Sequence, residues 1–140
     1  MFGAFLHDIG KIEIKKEVLV KPEQLNEEEW EKVKNHTKIG SKILEPLEFN
    51  ENILPIILYH HENYDGTGYP EGKKGENIPF NARILRIIDS FDAMITERPY
   101  SKSLDKEEAL KEIREGSGNQ YDPDLAEKFI TFAENNIEVK

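Results

Sequence analysis

All four histidines of the chain fall in three short polar clusters, His7-Asp8, His36 and His60-His61, and Asp89 follows on a later, otherwise oily stretch. Six imidazole and carboxylate side chains form the kind of donor set that two neighbouring divalent ions take, so these residues predict a metal-dependent phosphohydrolase. The chain has no cysteine. Structural disulfides, thiolate zinc sites and cysteine-ligated iron-sulfur clusters are therefore excluded, and imidazole and carboxylate remain as ligands.

Each cluster has a plainer reading when taken alone. His7-Asp8 fits a hydrogen-bonded network at a helix end, although just ahead of Gly10 the two side chains can also diverge toward two ions. His36 shares a helix face with Val33, Gly40 and Ile43, where an isolated histidine is more often a hydrogen-bonded core residue than a ligand. His60-His61 closes an apolar helix and enters a glycine-rich loop, which lets one helix end supply both sides of a metal cluster. Asp89, one turn after Leu85, is expected to be buried and compensated by a metal, or else by Arg83 or Arg86. Asp92 is open to capping, to orienting a ligand histidine or to binding Arg98.

Positive charge is placed selectively. Lys11 follows HDIG directly, while Arg83 and Arg86 are one turn apart on the face next to Asp89. That spacing suits two guanidinium groups holding nonbridging phosphate oxygens, with a solvated helix face as the alternative. Tyr69, in GTGYP, can stack on a base or buttress its own loop.

Helices must position these groups. Phe2 to Ile9 reads as a short helix ended by Gly10, and Ile12 to Gln24 as a charged connection. Asn26 with Glu29 predicts a capping box, Leu25 with Trp30 a staple, and Trp30, Val33, Gly40, Ile43 and Leu44 one inward stripe running to Pro46. Asn52 is expected to start a buried helix with Pro55 in its first turn, and residues 63–77, with four glycines and Pro70, form a loop. Arg83 to Thr96 reads as a long helix broken by Arg98-Pro99-Tyr100. Asp105 with Glu108 caps Lys106 to Glu115, and Asp122-Pro123 opens a last helix. The expectation is an all-α, compact helical bundle forming one domain over residues 1–140.

Hydrophobic residues make up 37% of the 140, charged residues 34%, and the formal net charge is -9. This composition suits a soluble, cytoplasmic protein and argues against binding a long nucleic-acid backbone, and no apolar run is long enough for membrane insertion. A small phosphate ligand held by local cations and metal remains compatible. The opening MFGAFLHDIGK lacks the features of a secretory signal and reads as a helix tail, so an upstream segment is expected.

Taken together, HDIGK, NHTKIG, HHENYDGTGYPEG, IPFNARILRIIDSFDAM and TERPY closely resemble the HD-GYP family of HD metal-dependent phosphohydrolases, in order and over essentially the whole chain. The resemblance implies that His7, Asp8, His36, His60, His61 and Asp89 are metal ligands, with Asp8 bridging two ions. It implies phosphate contacts from Lys11, Arg83 and Arg86, with Gly68, Tyr69 and Pro70 forming a signature loop for substrate and partner contacts, and it makes Asp8 and Lys11 the catalytic residues. The activity implied is hydrolysis of cyclic di-GMP to linear pGpG, and on to GMP in some members, by a hydroxide that iron or manganese activates; zinc or nickel suits the same donors. Family members carry a further helix and usually a ligand histidine before HD. Where the pattern has Pro-Asp and Arg, this chain has Lys15-Lys16 and Asn63. A catalytically weak cyclic-dinucleotide or partner-binding signalling module, and a phosphohydrolase for another nucleotide, remain as alternatives. An upstream sensor domain and homodimerisation through a truncated apolar edge are further expectations.

Overall fold

The computed structural model describes residues 2–47, 53–97 and 102–138. The expected cap at Asn52 and the break at Arg98-Pro99-Tyr100 lie outside them. Among the described residues there are eight α-helices and no strand: α1 (Phe2–Leu6), α2 (Lys16–Leu19), α3 (Glu27–Lys34), α4 (His36–Leu44), α5 (Ile53–Tyr59), α6 (Phe80–Ile95), α7 (Lys106–Glu115) and α8 (Pro123–Asn136). The all-helical expectation holds, and no helix among the described residues is long and apolar enough to cross a membrane.

The polar signals set the helix starts. Asn26 and Glu29 form the predicted capping box on α3, and Asp105 and Glu108 form the one on α7. Asp122 accepts hydrogen bonds from the Asp124 and Leu125 backbone N–H groups, with Pro123 in the first turn of α8. Side-chain oxygens at these positions satisfy backbone donors that the first helical turn leaves unpaired.

The boundaries near the histidines differ from the sequence expectation. The first helix stops at Leu6, His7 and Asp8 stand in a turn, and Ile9–Glu13 is a 3-10 turn with Gly10 inside it. The supposed connection carries the short α2. The single stripe from Trp30 to Pro46 is two helices meeting at Asn35, and Trp30 and Ile43 are 46% and 38% exposed rather than inward. The longest helix begins at Phe80, three residues earlier than expected.

α6 is the hinge of the architecture because it is apolar on more than one face. Ile87 and Phe91, one turn apart, pack with Ala109, Leu110 and Ile113 of α7 and Ala126, Ile130 and Ala133 of α8, where Phe91 meets Phe129 edge to face. α6 also packs on α5, which contacts α1 and α4, and the 3-10 turn rests on α4. The end of the bundle built from the HD turn, α4, α5 and α6 is where the histidines converge.

Candidate metal and phosphate site

Gly10 sets the site by allowing contact. A methyl group at this residue would fall 1.9 Å from the His36 carbonyl oxygen and 2.6 Å from the Gly40 nitrogen. Only a residue without Cβ lets the HD turn lie directly on the first turn of α4, and that contact brings Asp8 to His36. Asp8 Oδ1 lies 3.4 Å from His36 Nε2, and Asp8 Oδ2 lies 3.5 Å from His7 Nε2. His7 Nε2 in turn lies 3.4 Å from Asp89 Oδ1.

His60 and His61 follow the last turn of α5, with ring centroids 4.2 Å apart. One ligand atom each from Asp8, His36, His60 and His61 lies within 4.8 Å of the others. His36 and His60 are fully buried. The six residues singled out in the sequence are therefore brought together, as two groups that share Asp8. Asp89 is half-buried rather than enclosed, and it pairs with His7 rather than with either arginine.

Three of the four imidazoles are oriented by backbone carbonyls. Nδ1 of His7, His36 and His60 donates to the carbonyl three residues earlier, at 2.7, 2.5 and 2.8 Å, on Ala4, Val33 and Ile57 respectively. A carbonyl only accepts, so each Nδ1 carries hydrogen and each Nε2 faces the site, the arrangement seen when backbone orients a metal-binding histidine. Burial lowers the pKa of His36, that of His60 to about 4 and that of His61 to about 2. These rings are neutral near pH 7, with lone pairs available.

Those lone pairs are crowded without a cation. His36 Nε2 and His60 Nε2 lie 3.4 Å apart, and Asp8 Oδ1 is buried with no hydrogen-bond partner. Leaving such an oxygen unpaired costs roughly 1–3 kcal/mol. A divalent ion would satisfy all three atoms at once, so the donors present fit a metal. On the other side of Asp8, His7 Nε2 faces two carboxylates, those of Asp8 and Asp89. Burial opposes charge on His7, but the hydrogen bond to Asp89 and the nearby Asp8 carboxylate raise its pKa, while the His7 hydrogen bond lowers that of Asp89 to about 2.

Lys11 Nζ donates to Asp8 Oδ2 at 2.7 Å. Tyr69 stacks on His61 with centroids 4.9 Å apart, and its ring meets Trp30 edge-on at 6.3 Å. Tyr69 and Pro70 form one wall of a groove of about 450 Å³, whose other wall includes Glu31, Lys34, Asn35 and Lys38. Gly68 is required where it stands, because a Cβ there would fall 2.2 Å from the Asn63 nitrogen and 2.5 Å from the His61 oxygen. The Tyr69 N–H donates to the His61 carbonyl, so the loop folds back over the two histidines.

The two arginines separate. Arg83 Nη1 donates to Asp122 Oδ2, the N-cap of α8, and both side chains are largely buried. Arg86 instead takes Asn63 and Ser90, and its charge is felt at His61 and Tyr69. Arg83 thus locks α6 to α8. Arg83→Met should cost about 3 kcal/mol, because it strands a buried carboxylate, while leaving metal affinity near the parent value; a denaturant melt and a metal titration check the two halves. Asp92 is exposed and no described neighbour pairs with it.

Sequence reasoning missed Glu62. Its side chain is 2% exposed, and Oε1 accepts the Glu71 N–H at 2.8 Å, tying down the far end of the signature loop. Its place between two metal-binding candidates and a glycine-rich loop was the available signal.

Comparison with known proteins places this geometry. Residues 1–125 match the HD domain family, and the chain belongs to that family. A cyclic di-GMP phosphodiesterase of Thermotoga maritima is 47% identical over 92% of this chain and 36% of its own length. The cyclic di-GMP phosphodiesterase response regulator RpfG of Xanthomonas campestris is 42% identical over 86% of this chain and 32% of its own. The crystal structure of a cyclic GMP-AMP specific phosphodiesterase from Vibrio cholerae superposes with a TM-score of 0.72 at 26% identity, over 96% of this chain and 37% of that one. The chain spans about a third of the length of these relatives.

Proposed function

We propose that this chain is the hydrolytic portion of a cyclic di-GMP phosphodiesterase. One observation carries the reading: Asp8 turns one carboxylate oxygen to His36, beside His60 and His61, and the other to His7, beside Asp89. In this reading Asp8 would serve as a ligand to both ions, with His7 and Asp89 as the further ligands on one side and the remaining histidines on the other. Relatives bearing the cyclic di-GMP name support the substrate assignment.

Bound there, two divalent ions would supply Lewis acidity toward the phosphate and lower the pKa of a nearby water. The mixed imidazole and carboxylate donors suit iron or manganese, and zinc or nickel take similar ligands. Hydrolysis adds one water: its oxygen bonds to phosphorus, the bond from phosphorus to the 3′-oxygen breaks, and that oxygen takes up a proton to leave linear pGpG. Lys11 donates a hydrogen bond to Asp8 and adds positive charge beside it. Arg86 and the Tyr69 face offer a phosphate contact and a stacking surface, and the groove beside Tyr69 has room for a nucleoside. Lys11 and Arg86 accelerate the step to the extent that they hold the more charged transition state better than the ground state.

A second reading has specific support, since relatives from Vibrio cholerae are named 3'3'-cGAMP-specific phosphodiesterases, one of them 38% identical to this chain. Purified chain loaded anaerobically with iron or manganese is expected to convert cyclic di-GMP to pGpG, and faster than 3'3'-cGAMP. Equal or preferential cleavage of 3'3'-cGAMP transfers the assignment to the second substrate. Absence of turnover by folded, metal-loaded chain rejects both.

Metal should also stabilise the fold, because ligands that crowd one another without an ion relax around it. A melting temperature that rises with manganese concentration, by the amount linkage requires for the measured Kd, is the expected result. No rise at saturating manganese would rule out the site described above.

A further inference from the structure

Arg86 is unusual among the site's cations in being held entirely by neutral groups. Its Nε and Nη2 both donate to Asn63 Oδ1, at 3.3 and 3.0 Å, and its Nη1 donates to Ser90 Oγ at 3.3 Å. Asn63 is itself fixed: its Nδ2 donates to Thr67 Oγ1 at 3.1 Å, and the Thr67 hydroxyl donates to Asp65 Oδ1 at 2.7 Å. The amide therefore has one orientation, with its oxygen toward the guanidinium.

A guanidinium has five N–H bonds. Asn63 takes the side formed by Nε and Nη2, Ser90 takes one hydrogen of Nη1, and one hydrogen remains on each terminal nitrogen. Donors left on both terminal nitrogens are what a guanidinium offers to phosphate oxygens. The contrast with Arg83 is chemical as well as spatial. Arg83 is paired with the Asp122 carboxylate, whereas no carboxylate bonds Arg86 among the described residues.

We propose that Asn63 and Ser90 are positioning residues that present the free end of Arg86, which no carboxylate occupies among the described residues, to a phosphate of the substrate at the histidine cluster. The inference rests on the hydrolytic reading above for the identity of that phosphate. It makes Asn63 more than a loop residue: an asparagine here fixes the guanidinium without neutralising it, and an aspartate would fix it and neutralise it.

Asn63→Asp is the discriminating substitution, read in metal-loaded chain as the Kd of pGpG by calorimetry, as KM and kcat for cyclic di-GMP, and as melting temperature. The expected result is pGpG binding and KM weakened about tenfold, which is roughly 1.4 kcal/mol. Melting temperature should change little, since the ion pair gained with Arg86 offsets the Thr67 bond lost. In an Arg86→Met background the same substitution should have almost no effect on pGpG binding. Unchanged pGpG affinity in Asn63→Asp overturns the proposal, as does an equal loss in the Arg86→Met background. Because pGpG binding is measured apart from turnover, a chain that binds without hydrolysing overturns the hydrolytic reading alone, and the Asn63 comparison still decides this inference.

Discussion

Asp8→Asn is expected to cut metal-dependent turnover severely while leaving the metal-free chain at least as stable as the parent. Without metal, the buried Asp8 Oδ1 has no partner, and an asparagine amide in the same place can donate to the His36 Nε2 lone pair 3.4 Å away. That gain opposes the weakening of the part-exposed Lys11 contact, which is worth little in water. With metal the sign reverses. The carboxylate turns one oxygen to His36 and the other to His7, and a neutral amide cannot serve two cations with comparable strength. Turnover should fall by on the order of a thousandfold, the scale of losing one electrostatic stabiliser in a water-excluded site. Thermal melts with and without manganese, together with metal stoichiometry, separate the two effects. A variant that keeps two bound ions and the parent's metal-induced rise in melting temperature would show that Asp8 is not the bridge.

Much of this site could be read from the residues, and the reasons are specific. His7, Asp8, His36, His60, His61 and Asp89 stood out because metal chemistry restricts residue types, and helix ends announce themselves through caps such as Asn26-Glu29 and Asp105-Glu108. Pairings between distant elements were harder to read. Arg83 and Arg86 are adjacent on one helix face, and nothing local says that Asp122, 39 residues away, claims the first while Asn63 claims the second. Periodicity also misled at Asn35: apolar spacing continues through Trp30 and Ile43, yet both are substantially exposed because the chain changes helix there. The HD turn was misread for a related reason. Gly10 looked like a helix terminator, whereas it sits inside a 3-10 turn, and its lack of a side chain serves contact with another helix.

That contact supports a second large prediction. Gly10→Ala should destabilise the chain by about 3 kcal/mol, at or beyond the upper end of ordinary overpacking, and should also remove metal binding from whatever remains folded. The added methyl would meet the His36 oxygen at 1.9 Å and the Gly40 nitrogen at 2.6 Å, and ordinary contact begins near 3.4 Å. Both obstacles are backbone atoms of α4, so no rotamer change relieves the clash. The HD turn must instead lift from α4 by more than about 1 Å, and metal sites tolerate only about 0.2 Å in ligand distance. Asp8 and His36, now 3.4 Å apart, would then no longer reach one ion together. Gly75→Ala is the useful comparison. Gly75 has a φ of +59° and nothing within 4 Å of an added Cβ, so alanine there should cost about 1 kcal/mol in backbone strain and leave metal affinity intact. Denaturant melts and manganese titrations on the two variants should therefore diverge in both quantities. If Gly10→Ala matched Gly75→Ala in stability and still bound metal like the parent, close packing of the HD turn on α4 would not be what assembles the site.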